Sequence, residues 1–136
     1  MGDRNIADGK GILQLAYLGD AVTELFVREY LLKRSDSPSG RLNKIAKGFV
    51  TCEAQSDAVE RILDILSEKE LSVYKRGRNT ATAHKPSHGE LIQYRRATGF
   101  EALLGYLYLS GQEERARELF YKAYDGIFEE RCEEIK

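Results

Sequence analysis

Asp20 and Glu101 stand inside the two most apolar stretches of the chain, where a carboxylate is expensive to keep. In Ile12–Phe26 (ILQLAYLGDAVTELF) the only charges are Asp20 and Glu24, and in Ala97–Gln112 (ATGFEALLGYLYLSGQ) the only charge is Glu101. Elsewhere charge is plentiful, 32% of all residues, so its scarcity here is a pattern and not a consequence of composition. A carboxylate taken out of water costs several kcal/mol or takes up a proton unless something compensates it. Three compensators are open: a basic partner, a shared proton, or a metal ion. Arg28, Arg95 and Arg96 could supply the first. For the third, an all-oxygen donor set without organised His or Cys favours Mg²⁺ or Mn²⁺, which keep several waters and are shared with phosphate groups. His84 and His88 fall in or beside a polar loop away from both acids, and are expected in solvent.

The elements that must position these acids are helical. Periodicity is helical nearly throughout, with no alternating strand joined to a hairpin turn, which predicts an all-α multi-helix fold. A first helix is expected over Lys10–Lys33, stopped by Ser35-Asp36-Ser37-Pro38. Pro38 suits the first turn of the next helix, with Ser37 as its cap. The segment 38–65 should break once, near Phe49–Thr51. Ser67-Glu68-Lys69-Glu70 and Ser87-His88-Gly89-Glu90 both read as capping boxes, each opening a helix. Between those helices, residues 79–86 (NTATAHKP) read as an exposed loop. The Glu101 helix should stop at Gly111, followed by a last helix from Gln112 to about Phe128 with Ala116, Leu119, Phe120, Ala123 and Ile127 on its inner face. The remaining tail is charged and expected to fray.

On these helices Glu24 lies one turn beyond Asp20 on the same face. Gly19 and Gly105 flank the two acids, although glycine inside a helix costs about 1 kcal/mol relative to alanine. That cost is intelligible if two backbones must touch there, and such a crossing would bring Asp20 and Glu101 together.

The bulk properties set outer limits. The 136 residues suit one domain with an ordered core of about residues 10–128, and 42% hydrophobic residues exclude disorder. No apolar run reaches the roughly 18–20 residues of a membrane span. The acidic start, MGDRNIADGK, has neither an export signal nor a myristoylation signal, and Cys52 and Cys132 lack metal or CxxC spacing, which suits free thiols in the cytoplasm. A net charge of −1 means that any nucleic-acid binding must rest on a local basic patch.

Tyr17-Leu18-Gly19-Asp20-Ala21-Val22, continued by TELFVREYLL, resembles the signature helix of the ribonuclease III domain, and Phe100-Glu101-Ala102-Leu103-Leu104-Gly105-Tyr106-Leu107-Tyr108-Leu109 resembles that family's second catalytic helix. The segments FVTCEAQSDAVERIL, KRGRN and QYRRATGF follow in family order, so the likeness covers almost the whole chain. Length and pattern resemble the Mini-III branch, a catalytic domain without an appended double-stranded-RNA-binding domain.

This resemblance implies a homodimeric, Mg²⁺-dependent endoribonuclease, with Mn²⁺ as a substitute, that cuts double-stranded RNA to leave 5′-phosphate and 3′-hydroxyl ends. Asp20 and Glu101 fall on its catalytic and metal-holding positions. Two further family acids are replaced here by Ala16 and Thr98, so ligation through water is expected, with the Thr98 hydroxyl and Glu24 standing behind the pair. Tyr17 occupies the position of an aromatic that contacts the partner subunit; plain core packing is its alternative. Lys75, Arg76, Arg78, Asn79, Lys85, Arg95 and Arg96 are the candidate RNA contacts. The branch is associated with maturing the large-subunit (23S) ribosomal RNA precursor, where a ribosomal protein could help. A catalytically silent RNA-binding or ribosome-associated module is the alternative, and a helical pyrophosphohydrolase a weaker one, because Asp20 and Glu24 do not reproduce its ExxE spacing.

Overall fold

In the computed structural model, residues 5–80 and 88–130 are described. They form six α-helices: α1 (Ile12–Arg34), α2 (Ser39–Phe49), α3 (Cys52–Glu60), α4 (Glu68–Thr80), α5 (His88–Leu109) and α6 (Glu113–Glu130). Short 3₁₀ turns, Ile6–Gly9 and Leu63–Ile65, precede α1 and α4, and no strand occurs among the described residues. The all-α expectation holds.

α5 is the axis of the molecule. Phe100, Ala102, Leu103, Leu104, Tyr106 and Leu107 are buried on successive faces, the mark of a helix surrounded by others. α1, α3 and α4 pack directly on it, and α6 closes the far side. α6 buries the face expected for it, Ala116, Leu119, Phe120, Ala123 and Ile127. Its aromatic residues build a cluster in which Tyr30 and Phe128 stack and the Tyr124 hydroxyl donates to the Phe49 carbonyl at 2.6 Å.

The first capping box forms as read: the Glu70 amide donates to Ser67 Oγ at 3.1 Å and the Ser67 amide to Glu70 Oε1 at 2.9 Å. Glu70 has a second task. Arg115 of α6 reaches it with Nε and Nη2, both at 2.9 Å, and also donates to the Ile65 carbonyl at 3.0 Å. This guanidinium holds the Glu70 carboxyl below the usual carboxylate range. α5 ends on Gly111 at φ 80°, with Gln112 N donating to Leu107 O and Gly111 N to Tyr108 O. This is the left-handed closure that glycine permits.

Several boundaries differ from expectation. Gly11, not Lys10, caps α1, because the Gln14 side chain reaches back to its amide at 2.9 Å. Pro38 sits at the cap itself and not in the first turn; its carbonyl accepts from Arg41 and Leu42, while Ser37 is tied to Ser35. The break at Val50 occurs as expected, with Thr51 capping α3, but a second one follows α3, where Arg61 and Ile62 close tight turns onto Ala58 and Val59. Asn79 and Thr80 belong to α4, not to a loop. The rest of that loop, with Thr82, His84, Lys85 and Ser87, lies outside the described residues, as do the His88 side chain and the tail 131–136.

Candidate active site

α1 and α5 meet backbone to backbone. A Cβ added to Gly19 would lie 1.7 Å from the Glu101 carbonyl oxygen, and one on Gly105 would lie 1.9 Å from the Leu15 carbonyl oxygen. No side chain larger than hydrogen fits at either place. Because Asp20 follows Gly19 and Glu101 itself supplies the contact, the crossing sets the two carboxylates side by side, as the glycine pattern predicted.

Glu101 is half-buried and Asp20 is exposed, so the pair opens to solvent on the Asp20 side. The Glu101 carboxyl is pushed up to about 8, first by burial, then by the negative charge of Asp20 and the hydrogen bond that protonated Glu101 donates to it, with Glu24 adding to the field. Gln55 of α3 acts in the opposite direction. Among the described residues, none of these groups that move Glu101 is a cation. At neutral pH Glu101 therefore favours its protonated form.

The arginines that could have neutralised these acids are elsewhere. Arg96 pairs with Glu60 of α3 at 2.9 Å. Arg28 lines a groove between α1 and α2, and Arg95 is exposed on α5. Of the three compensators the sequence left open, the arginines lie elsewhere, and a proton and a cation remain. The geometry also fits a hard cation: oxygen donors, net negative charge, and a raised carboxyl that a cation would relieve. Among the described residues no group of three or more His, Cys, Asp or Glu is disposed to hold a metal, so the donor set is the sparse pair and not a full cage. Glu24 stands half-buried beside it. Thr98, one turn before Glu101, is buried and donates its hydroxyl to the Tyr94 carbonyl at 2.9 Å, which leaves its oxygen lone pairs as acceptors. Ala16 is buried and brings no oxygen.

The basic residues divide into two groups. Lys75, Arg76 and Asn79 share an open hollow of about 380 Å³ on the outer side of α4, with Glu68, Leu71 and Ser72. Arg78 links the two, its Nε donating to Asn79 Oδ1 at 3.1 Å while its guanidinium lies over the Tyr74 ring, where Glu60 and Arg96 also act on the Tyr74 hydroxyl. Tyr17 is 85% exposed, which removes core packing from its alternatives.

Sequence reasoning missed Gln55. Its signal was present: Gln55, Ala58, Val59 and Ile62 share one helical face, and the last three are core residues, so a polar group stood in an apolar stripe. Cys52, one turn earlier, also faces the site; burial and the Glu101 charge push its thiol up.

An acid pair at the crossing of two helices in an all-α domain defines the class, and the chain belongs to the ribonuclease III domain family, whose model matches residues 13–112. Within that family it falls with the Mini-ribonuclease 3 proteins. It is 44% identical to Mini-ribonuclease 3 of Thermoanaerobacter sp. (strain X514) over 79% of this chain and 75% of that one. The Clostridium tetani (strain Massachusetts / E88) Mini-ribonuclease 3 is 42% identical over 87% of this chain and 78% of that one. A crystal structure of a Fusobacterium nucleatum protein is similar at TM-score 0.74 and 32% identity, covering 86% of this chain and 93% of that one.

Proposed function

We propose that this protein is a Mg²⁺-dependent endoribonuclease, with Mn²⁺ as a substitute, that cuts double-stranded RNA and leaves 5′-phosphate and 3′-hydroxyl ends. The observation that carries this reading is a pair of adjacent carboxylates at a helix crossing, with no cation among the described residues acting on Glu101, in a member of a ribonuclease family. Asp20 and Glu101 would hold the metal, with Glu24 and Thr98 steadying its waters. Bound there, Mg²⁺ supplies a water of lowered pKa and relieves charge on a phosphate oxygen. The exposed Asp20 side gives a phosphodiester access, and the buried Glu101 side keeps one carboxylate fixed.

Lys75, Arg76 and Asn79 form the main grip on the RNA backbone, and Arg78, Lys85, Arg95 and Arg96 add further contacts to it. Contacts to phosphates and 2′-hydroxyls across the shallow groove of A-form RNA suit these side chains. The protein works as a homodimer in which a second copy covers Tyr17 and the exposed Leu13, Leu25 and Leu32 of the same helix. Its setting is the cytoplasm; no helix among the described residues is long and apolar enough to cross a membrane. Its substrate is the precursor of large-subunit (23S) ribosomal RNA, presented with the help of a ribosomal protein.

Incubating the purified protein with long double-stranded RNA, in Mg²⁺ and in EDTA, tests the reading. Cutting in Mg²⁺ alone is expected. The missing carboxylates at Ala16 and Thr98 favour one other reading, a silent RNA-binding or ribosome-associated module, and binding without metal-dependent cutting would establish it instead.

A further inference from the structure

Gln55 is the one polar side chain of α3 aimed from the core at the acid pair. It is 2% exposed, and its Nε2 donates to the Val50 carbonyl at 3.4 Å, at the corner between α2 and α3. Its other partner is the Glu101 carboxyl. A backbone carbonyl and an ionised carboxylate can only accept, so an amide has one N–H bond for each.

We propose that Gln55 is the positioning residue of Glu101, holding its carboxylate toward Asp20 and thereby setting the affinity of the site for a divalent cation. The inference rests on the metal-dependent reading given above. A neutral amide suits the task better than a base would. A lysine or arginine in the same place would orient Glu101 equally well but would neutralise it, competing with the metal for the same charge. Glutamine orients and leaves the negative charge in place. The Val50 carbonyl that anchors it stands at the corner where α2 ends.

The test uses Gln55→Met, which keeps volume and removes the amide, in the full-length protein. Two quantities are read: Mn²⁺ binding by calorimetry on the RNA-free protein, and the single-turnover rate at saturating double-stranded RNA. Metal affinity is expected to fall about 10-fold or more, in the range for groups that orient metal ligands, with the rate falling and KM for RNA unchanged. Thr51→Ala, which uncaps the same helix, should lower the melting temperature and leave Mn²⁺ affinity alone. If Gln55→Met does not fold, Gln55→Asn, which keeps the amide but shortens its reach, should give the same loss of affinity in smaller measure. A folded Gln55 variant with metal affinity and rate within twofold of the wild type overturns the proposal, as does an equal loss of affinity in Thr51→Ala. Wild-type protein that neither binds Mn²⁺ nor cuts RNA removes the enzyme reading itself, and this role with it.

Discussion

Two glutamates sit deep in this small domain, and they are treated in opposite ways. Glu70 meets Arg115 through two hydrogen bonds and caps α4 as well, and its carboxyl is held below the usual range. Glu101 meets another carboxylate and a neutral amide, and its carboxyl is pushed up to about 8. Burial opposes ionisation in both places; the difference is where the compensating cation resides. Glu70 has its cation inside the fold, so the pair is a clasp between α4 and α6. Among the described residues Glu101 has none, which is what the proposed metal would supply.

The comparison breaks most visibly under mutation. Asp20→Asn and Glu101→Gln should each abolish metal-dependent cutting in a gel assay, while raising the melting temperature of the metal-free protein by a few degrees, because Glu101 no longer has to take up a proton beside a second acid. Glu70→Gln should do the reverse, sparing the acid pair but costing about 1–3 kcal/mol in a urea titration, because the half-buried Arg115 is left with Glu118 and the Ile65 carbonyl alone. If Glu101→Gln unfolds the protein, or Glu70→Gln costs nothing, the contrast is wrong.

Acidity separates the two more gently. Native Glu101 binds its proton more tightly than the unfolded chain does, so the metal-free protein should lose stability as pH rises from about 4.5 to about 8. Glu70 has the opposite sign: its contribution is present above pH about 4.5 and is lost as pH falls through its lowered value. Melting curves from pH 4 to 9 should therefore fall across the neutral range without metal. Mg²⁺ should flatten that fall, and a curve indifferent to Mg²⁺ would remove the cation from the account.

The smallest effect extends the same contrast to the basic residues. Arg96 already has Glu60, whereas Arg76 has no ion-pair partner among the described residues. Arg76→Gln should weaken RNA binding a few-fold and lower the slope of log affinity against log salt by about 1. Arg96→Gln should change both much less, and filter binding at several salt concentrations would show it.

Much of the acid site was legible because it rests on local oddities. Charges in apolar stretches and glycines inside helices are costs that each need a reason, and one helix crossing supplies a reason for all four residues. The Ser67–Glu70 box was legible because it closes within four residues. Arg115–Glu70 and Arg96–Glu60 were not, because their partners are 45 and 36 residues apart and nothing local distinguishes them from other surface charges. The tight turns after α3 are set by how Ile62 packs into the core, which periodicity does not report. Gln55 was overlooked by attending to charge; an uncharged amide on an apolar face carries the same kind of information.

The contact between Gly19 and Glu101 also bears on ionic radius. With no side chain between the two helices, their separation is set by backbone atoms in van der Waals contact and has no slack to give. Mg²⁺ takes oxygen ligands at about 2.0–2.1 Å and Ca²⁺ at about 2.3–2.6 Å. Backbone contact stops the helices from closing any further, so a small ion held between Asp20 and Glu101 would be fitted by turning those side chains, not by drawing together the helices that carry them.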